Sequence, residues 1–151
     1  MQVSSRINST KHGITSSNLL NCKKDSCIYY NLCHVKEAIS TYPYGAFCPI
    51  EVVKRKDIEE AYTKDLIEVS DPIKTKIIRD LVMIDLQEMR IDQLVSVTCA
   101  VPGVSGEADR LILPHVLQRY HSELIGKRIK LYKQVRELKL SASKLTSSLS
   151  S

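Results

Sequence analysis

Four of the five cysteines in this 151-residue chain fall in one short window, Cys22-x4-Cys27-x5-Cys33-x14-Cys48. Thiolates can act as nucleophiles, disulfide partners or metal ligands. Disulfides do not suit the window. The cysteine total is odd, and Met1–Ser17 is rich in Ser, Thr and Asn without the apolar stretch of a secretory signal. A catalytic cysteine needs a base, and no His is placed as an obvious one. Zinc suits four thiolates in a tetrahedron, and closing a loop on a metal folds a segment too polar to bury itself. Cys22, Cys27, Cys33 and Cys48 are therefore the expected ligands, with His34 able to replace one sulfur. Lys23 and Lys24 would offset the charge of a four-thiolate site. An iron–sulfur cluster takes the same ligands, and Cys-Pro, here Cys48-Pro49, closes some cluster motifs. Four free thiols packing as small apolar side chains is the third reading. Cys99 stands alone in a helical pattern and reads as a buried free thiol.

The rest of the charge chemistry is basic and concentrated. The net charge is +5, with 22 Lys and Arg against 17 Asp and Glu. Residues 1–50 carry +3, residues 51–126 carry −4, and residues 127–151 carry +6. A mildly acidic middle between two basic ends points to a polyanionic partner at the ends. Hydrophobic residues make up 43% of the chain and charged residues 26%, which excludes wholesale disorder. With no Trp and one Phe, the core must come from Ile, Leu, Val and Met. No apolar run approaches the ~18 residues a membrane span needs, so no membrane partner is expected.

The elements that must position these groups read as helices, giving an all-α fold. Its expected parts are a tail over 1–21, a four-cysteine metal-binding module over 22–48, a helical hairpin and oligomerisation core over 49–98, a loop and basic amphipathic helix over 99–140, and a Ser-rich disordered tail over 141–151. Pro49 and Glu51 mark a first helix running to about Val69. Ile50, Val53, Ile58, Ala61, Tyr62 and Leu66 lie mostly on one of its sides. Asp71-Pro72 ends it and starts a second helix reaching about Thr98. That helix carries two apolar stripes: Ile77, Leu81, Ile84, Ile91 and Val95 form one, and Ile78, Val82, Leu86 and Met89 the other. Two stripes need two packing partners, one the antiparallel first helix, the other the third helix or a neighbouring subunit. These nine residues are the expected oligomerisation set. Glu88, inside the first stripe, must be paired or lie at an edge. Pro102, Gly103 and Gly106 mark a loop. Pro114 opens a third helix to about Ser141, with Leu117, Tyr120, Leu124, Leu131, Val135 and Leu138 as its seam and Arg128 interrupting it. Lys127, Arg128, Lys130, Lys133, Arg136 and Lys139, together with Lys23 and Lys24, are the expected nucleic-acid contacts, because cations reaching phosphates release counterions; a solvated coiled-coil face is the second reading of such a helix, and an acidic membrane surface, without Trp or Phe on the apolar side, the third.

Catalytic motifs are missing. The five glycines are scattered and form no phosphate-cradling loop, and there is no H-E-x-x-H. The expectation is a non-enzymatic binding or assembly protein.

The order of features has a counterpart. A cysteine window ends in Tyr44-Gly45-Ala46-Phe47-Cys48-Pro49-Ile50-Glu51; the Asp71-Pro72 break and a long helix with Asp85 and Arg90 follow. The chain closes with Leu117, Tyr120, Lys127-Arg128, Lys133 and Arg136-Glu137-Leu138. Over about Cys22–Leu140 this resembles the small terminase subunits of tailed bacteriophages, in a cysteine-rich variant. The resemblance implies a homo-oligomeric ring that brings double-stranded viral DNA to the large terminase subunit, an ATPase and nuclease, in the host cytoplasm. Many small terminases begin with a helix-turn-helix, and residues 1–48 show none, so the cysteine module would take its place. The alternatives are a small zinc-binding transcription regulator, dimeric through the third helix, a structural interaction protein with no nucleic-acid role, and a redox protein carrying an iron–sulfur cluster.

Overall fold

The computed structural model describes residues 14–149 except Ile28, Glu68, Ser70 and 101–106, and leaves aside the side chains of Asp71, 95–100 and 107–116. Three helices dominate: α1, Pro49–Asp65; α2, Asp71–Ala100; and α3, Glu107–Leu149. Among the described residues there is no strand, only an isolated antiparallel bridge between Asn21 and Phe47. The chain is thus mostly helical, as its periodicity predicts.

α2 is the central element, packed by α1 and by α3. The pairings run in reverse order along the chain. Glu51 meets Arg90, Tyr62 meets Asp85, and Leu66 packs with Ile77, Ile78 and Leu81. Likewise Val135 shares a cluster with Ile77, Ile78 and Leu86, whereas Leu124 and Leu117 share one with Ile84, Ile91 and Leu94. Both neighbours therefore lie antiparallel to α2. Each fully buried Leu or Ile of this core contributes roughly 1.5–3 kcal/mol of hydrophobic free energy.

The helix ends differ from the sequence expectation in instructive ways. α1 stops at Asp65 rather than near Val69. The Leu66 N–H closes onto the Tyr62 carbonyl, and the Val69 N–H onto the Leu66 carbonyl. Leu66 and Val69 then fold inward as buried residues of the corner. α1 itself is largely exposed: Ile58 and Tyr62 pack on the core, whereas Val53 and Ala61 face solvent. α3 begins at Glu107, before Pro114, and runs to Leu149, where a disordered tail was expected from Ser141. The hydroxyls along this last stretch bond back into the helix. Ser141 Oγ donates to the Glu137 carbonyl, Ser143 Oγ to Leu140 and Ser147 Oγ to Lys144.

The expected flexible tail over 1–21 is likewise ordered from residue 14. Ile14 is buried against Ile84, Ile91 and Leu117, and residues 16–20 are stitched to α1 and α2. Residues 1–13 lie outside the described part.

Candidate functional site

The cysteine module is built on short 3₁₀ turns at Lys24–Ser26, Tyr30–Leu32 and Ala38–Thr41. Such turns suit a segment with few apolar side chains, because each closes its own backbone bonds locally. Lys24 at φ 52° and Gly45 at φ 81° supply the left-handed corners. The module is pinned at both ends. The Cys22 N–H donates to the Ala46 carbonyl at 2.7 Å, and the Cys48 N–H to the Leu20 carbonyl at 2.7 Å. These bonds flank the Asn21–Phe47 bridge and bring the first and last cysteines of the window to one place.

All four thiols are free; Cys22 is buried and the others are half-buried. Burial pushes the Cys27 thiol pKa up, the Tyr29 amide lowers it, the charges of Cys22 and Cys33 raise it, and Lys23 lowers it. Burial also raises the Cys48 thiol, the first-turn amides of Glu51 and Ile50 oppose that, and the charges of Glu51 and Cys27 add to it. Cys27 is therefore within electrostatic reach of the three other cysteines. The net direction for both thiols is upward, so the proton is held on sulfur in the metal-free chain and a binding metal would have to displace it. The donor set is that of a structural zinc site. As they stand, no three His, Cys, Asp or Glu side chains among the described residues form a ligating group. His34 is exposed beside Cys33. Both line a groove of about 830 Å³ whose opposite wall is α2, at Asp85, Glu88 and Met89. Cys99 lies among the residues whose side chains are not described.

Beneath the module is a buried ion pair that sequence reasoning missed. Arg90 is 0% exposed and Glu51 3%. Arg90 Nε donates to Glu51 Oε1 at 2.7 Å, and Nη2 to Oε2 at 2.9 Å, a bidentate fork. Arg90 Nη1 also donates to the Ser16 carbonyl and Nη2 to the Asn18 carbonyl, while the Leu20 N–H donates to Glu51 Oε2. One arginine thus holds α1, α2 and the segment leading into Cys22. Its signal in the sequence was an arginine between Met89 and Ile91, one residue from each apolar stripe.

A second network crosses α2 and α3. Arg128 Nη2 donates to Glu88 Oε2 at 2.7 Å and to Asp85 Oδ1, and the Tyr62 hydroxyl donates to Asp85 Oδ2 at 2.9 Å. Burial, then hydrogen bonds with Tyr132 and Asp85, push the Tyr62 phenol far up. The seam interruption at Arg128 and the misplaced charge at Glu88 are therefore one feature.

The chain matches no known protein family, no curated protein and no solved structure.

The expected nucleic-acid residues divide by environment. Lys127, Lys130, Lys133 and Arg136 are exposed on α3, and no ion pair among the described residues is recorded for them. Arg128 is committed to Asp85 and Glu88, and Lys139 Nζ lies 3.8 Å from Asp65 Oδ1. Lys23 is exposed, and Lys24 Nζ donates to the Ser40 carbonyl. The oligomerisation set lies elsewhere than on a free surface. Ile77, Ile78, Leu81, Val82, Ile84, Leu86 and Ile91 are buried within the single chain, and Met89 packs against the same core. Both stripes of α2 are filled from inside the subunit, because α1, α3 and residues 14–20 cover them together. The Val95 side chain is among those not described.

Proposed function

We propose that this protein is a non-catalytic DNA-binding adaptor of the small-terminase kind, homo-oligomeric and stabilised by zinc at Cys22, Cys27, Cys33 and Cys48. In this reading it works in the host cytoplasm, binding double-stranded viral DNA and presenting it to the large terminase subunit. The observation that carries the reading is the row Lys127, Lys130, Lys133 and Arg136, exposed along α3 with no ion pair recorded among the described residues. Four cations at spacings of three drift about 60° per step and wind half-way round the helix, so adjacent members of the row can reach one phosphate backbone together, and the row carries no base-reading group. Four cysteines in one window, its two ends pinned beside the Asn21–Phe47 bridge, support the zinc, and the resemblance in feature order supplies the packaging role.

The test is binding of a labelled duplex by fluorescence anisotropy. Reversal of three charges, K130E with K133E and R136E, is expected to lower affinity at least ~100-fold with helicity unchanged. Unchanged affinity in that variant would remove α3 as the DNA contact. Metal analysis of the purified chain is expected to give about one zinc per subunit, and visible absorbance in its place would assign an iron–sulfur cluster.

A further inference from the structure

α3 carries a glycine where nothing inside the molecule asks for one. Gly126 lies near the middle of the helix, Glu107–Leu149, and the helix is continuous through it, so it neither caps nor breaks the element. Glycine is the poorest helix former after proline, because it gives up the most backbone freedom on ordering. A left-handed backbone does not explain it: among the described residues, Gly45 is the glycine with a positive φ. A close approach by a neighbouring element does not explain it either. A Cβ added at Gly126 meets nothing within 4 Å beyond the local helix, among the described residues.

The surroundings of Gly126 on the helix point to something from outside. At 3.6 residues per turn, it lies about 140–180° round the helix from the seam residues Leu117, Leu124, Leu131 and Val135, on the side turned away from α2. Arg119 and Ser122 precede it by seven and four residues, and Lys130 and Lys133 follow it by four and seven. All four fall within about 40° of Gly126 on the helix surface, and all four are exposed. Ser122 and Lys130 therefore bracket a bare stretch about 12 Å long. Residues 119–133 hold five Lys and Arg against one acid, Glu123, and Glu123 already pairs with Arg119 at 3.3 Å. An exposed pair of this kind is weak, so Arg119 can exchange it for a phosphate. The next acid along the chain, Glu137, is about 16 Å beyond Gly126.

We infer that the sugar–phosphate backbone of duplex DNA crosses α3 at Gly126, seated on the bare helix backbone between Lys130 and Lys133 on one side and Ser122 and Arg119 on the other. The inference rests on the DNA-binding reading above and names the residue where the strand meets the protein. A polyanion is the occupant because the side chains bracketing the gap are cations and a hydroxyl. A second copy presenting the same face would bring like charges together. Without a Cβ at this point the strand lies closer to the helix, which brings its phosphates within reach of the lysines.

The test pairs duplex affinity, by fluorescence anisotropy, with thermal unfolding and light scattering of the full chain. Gly126→Ala and Gly126→Leu each place a better helix former in open space, so the unfolding midpoint is expected to rise by roughly 2–5 °C. The added side chain holds the strand off, so affinity is expected to fall roughly 5-fold for Ala and ~50-fold for Leu. A merely structural glycine would not move stability and binding in opposite directions. Unchanged affinity in both variants would overturn the inference. So would a lowered midpoint in Gly126→Ala, which would give the glycine a role inside the fold. A smaller assembly mass accompanying the loss of affinity would assign the gap to a second copy, and would overturn the inference as well. K130A with K133A is measured beside them. A loss of affinity there, with none in the Gly126 variants, fails this inference alone; no loss in either set fails the cationic-row reading too.

Discussion

Arg90 and Glu51 show how much can hang on one buried pair. A buried ion pair is weak evidence of net stability, because desolvation of both charges offsets their attraction. Breaking it is another matter. Arg90→Ala leaves the Glu51 carboxylate, the Ser16 carbonyl and the Asn18 carbonyl without their guanidinium donors. The expected loss is at least about 3–5 kcal/mol, measured by urea unfolding. Arg90→Lys is expected to recover little of it, because an ammonium cannot reproduce the planar fork. A second residue-scale expectation concerns Tyr29, whose phenol burial pushes up to about 12. Its neutral form is favoured in the folded chain, so the unfolded chain releases the proton first. Stability is then full below pH ~10 and falls as pH rises toward 12. Tyr29→Phe is expected to flatten that part of the pH–stability curve, and an unaltered alkaline slope would place the effect elsewhere.

At the scale of elements, charge inside an apolar stripe is offset by a facing charge. Glu88 and Asp85 on α2 are matched by Arg128 on α3, and the pairing fixes how the two helices slide past one another. Arg128→Met keeps the bulk and abandons both carboxylates. Since the three side chains are each about a quarter exposed, water relieves part of the penalty. A loss of about 1–3 kcal/mol is expected in thermal or urea unfolding. The double change of Asp85 and Glu88 to Asn and Gln in the same background should restore part of that loss.

How far these elements could be read from the sequence depends on what each signal measured. Periodicity measures burial, so α2 and the seam of α3 were legible, and so was the need to pair Glu88. It does not say what does the burying. The two stripes of α2 suited a neighbouring subunit, but α1, α3 and residues 14–20 of the same chain fill them. Composition was the weaker guide. The run after Ser141 reads as disordered until its hydroxyls are seen donating to carbonyls three and four residues back. The Glu51–Arg90 pair spans 39 residues, and no local pattern connects positions so distant. The cysteine window was visible as a spacing, and its anchoring through Leu20 and Ala46 emerged only from the fold.

At the scale of the whole molecule, the module and the helices share a joint. Cys48 is the residue before α1, Glu51 lies in the first turn, and Leu20 bonds to both through its carbonyl and its amide. Anything that loosens the sulfurs therefore pulls on the Leu20 segment. On the zinc reading proposed above, removing the metal with a chelator, or Cys27→Ser, is expected to speed hydrogen exchange at the Leu20, Cys22 and Cys48 amides while the centre of α2 stays protected. Uniform exchange across module and bundle would mean that the two are not separable.

The cationic row makes the most quantitative demand at this scale. Phosphate contacts release condensed counterions, so the logarithm of affinity falls with the logarithm of salt at about 0.9 per neutralised phosphate on duplex DNA. Arg128 and Lys139 are engaged within the chain, whereas Lys127, Lys130, Lys133 and Arg136 form the exposed row, with Lys144 exposed further along α3. One subunit then supplies a slope of about 4, and a K130A, K133A and R136A triple variant lowers it by about 3. If the row contacts phosphates alone, as proposed, the loss is expected to be uniform across DNA sequences. Arg128→Met, by contrast, lowers stability with little change in slope. A slope that survives the triple variant would move the DNA contact to Lys23 and the cysteine module, the other basic end of the chain.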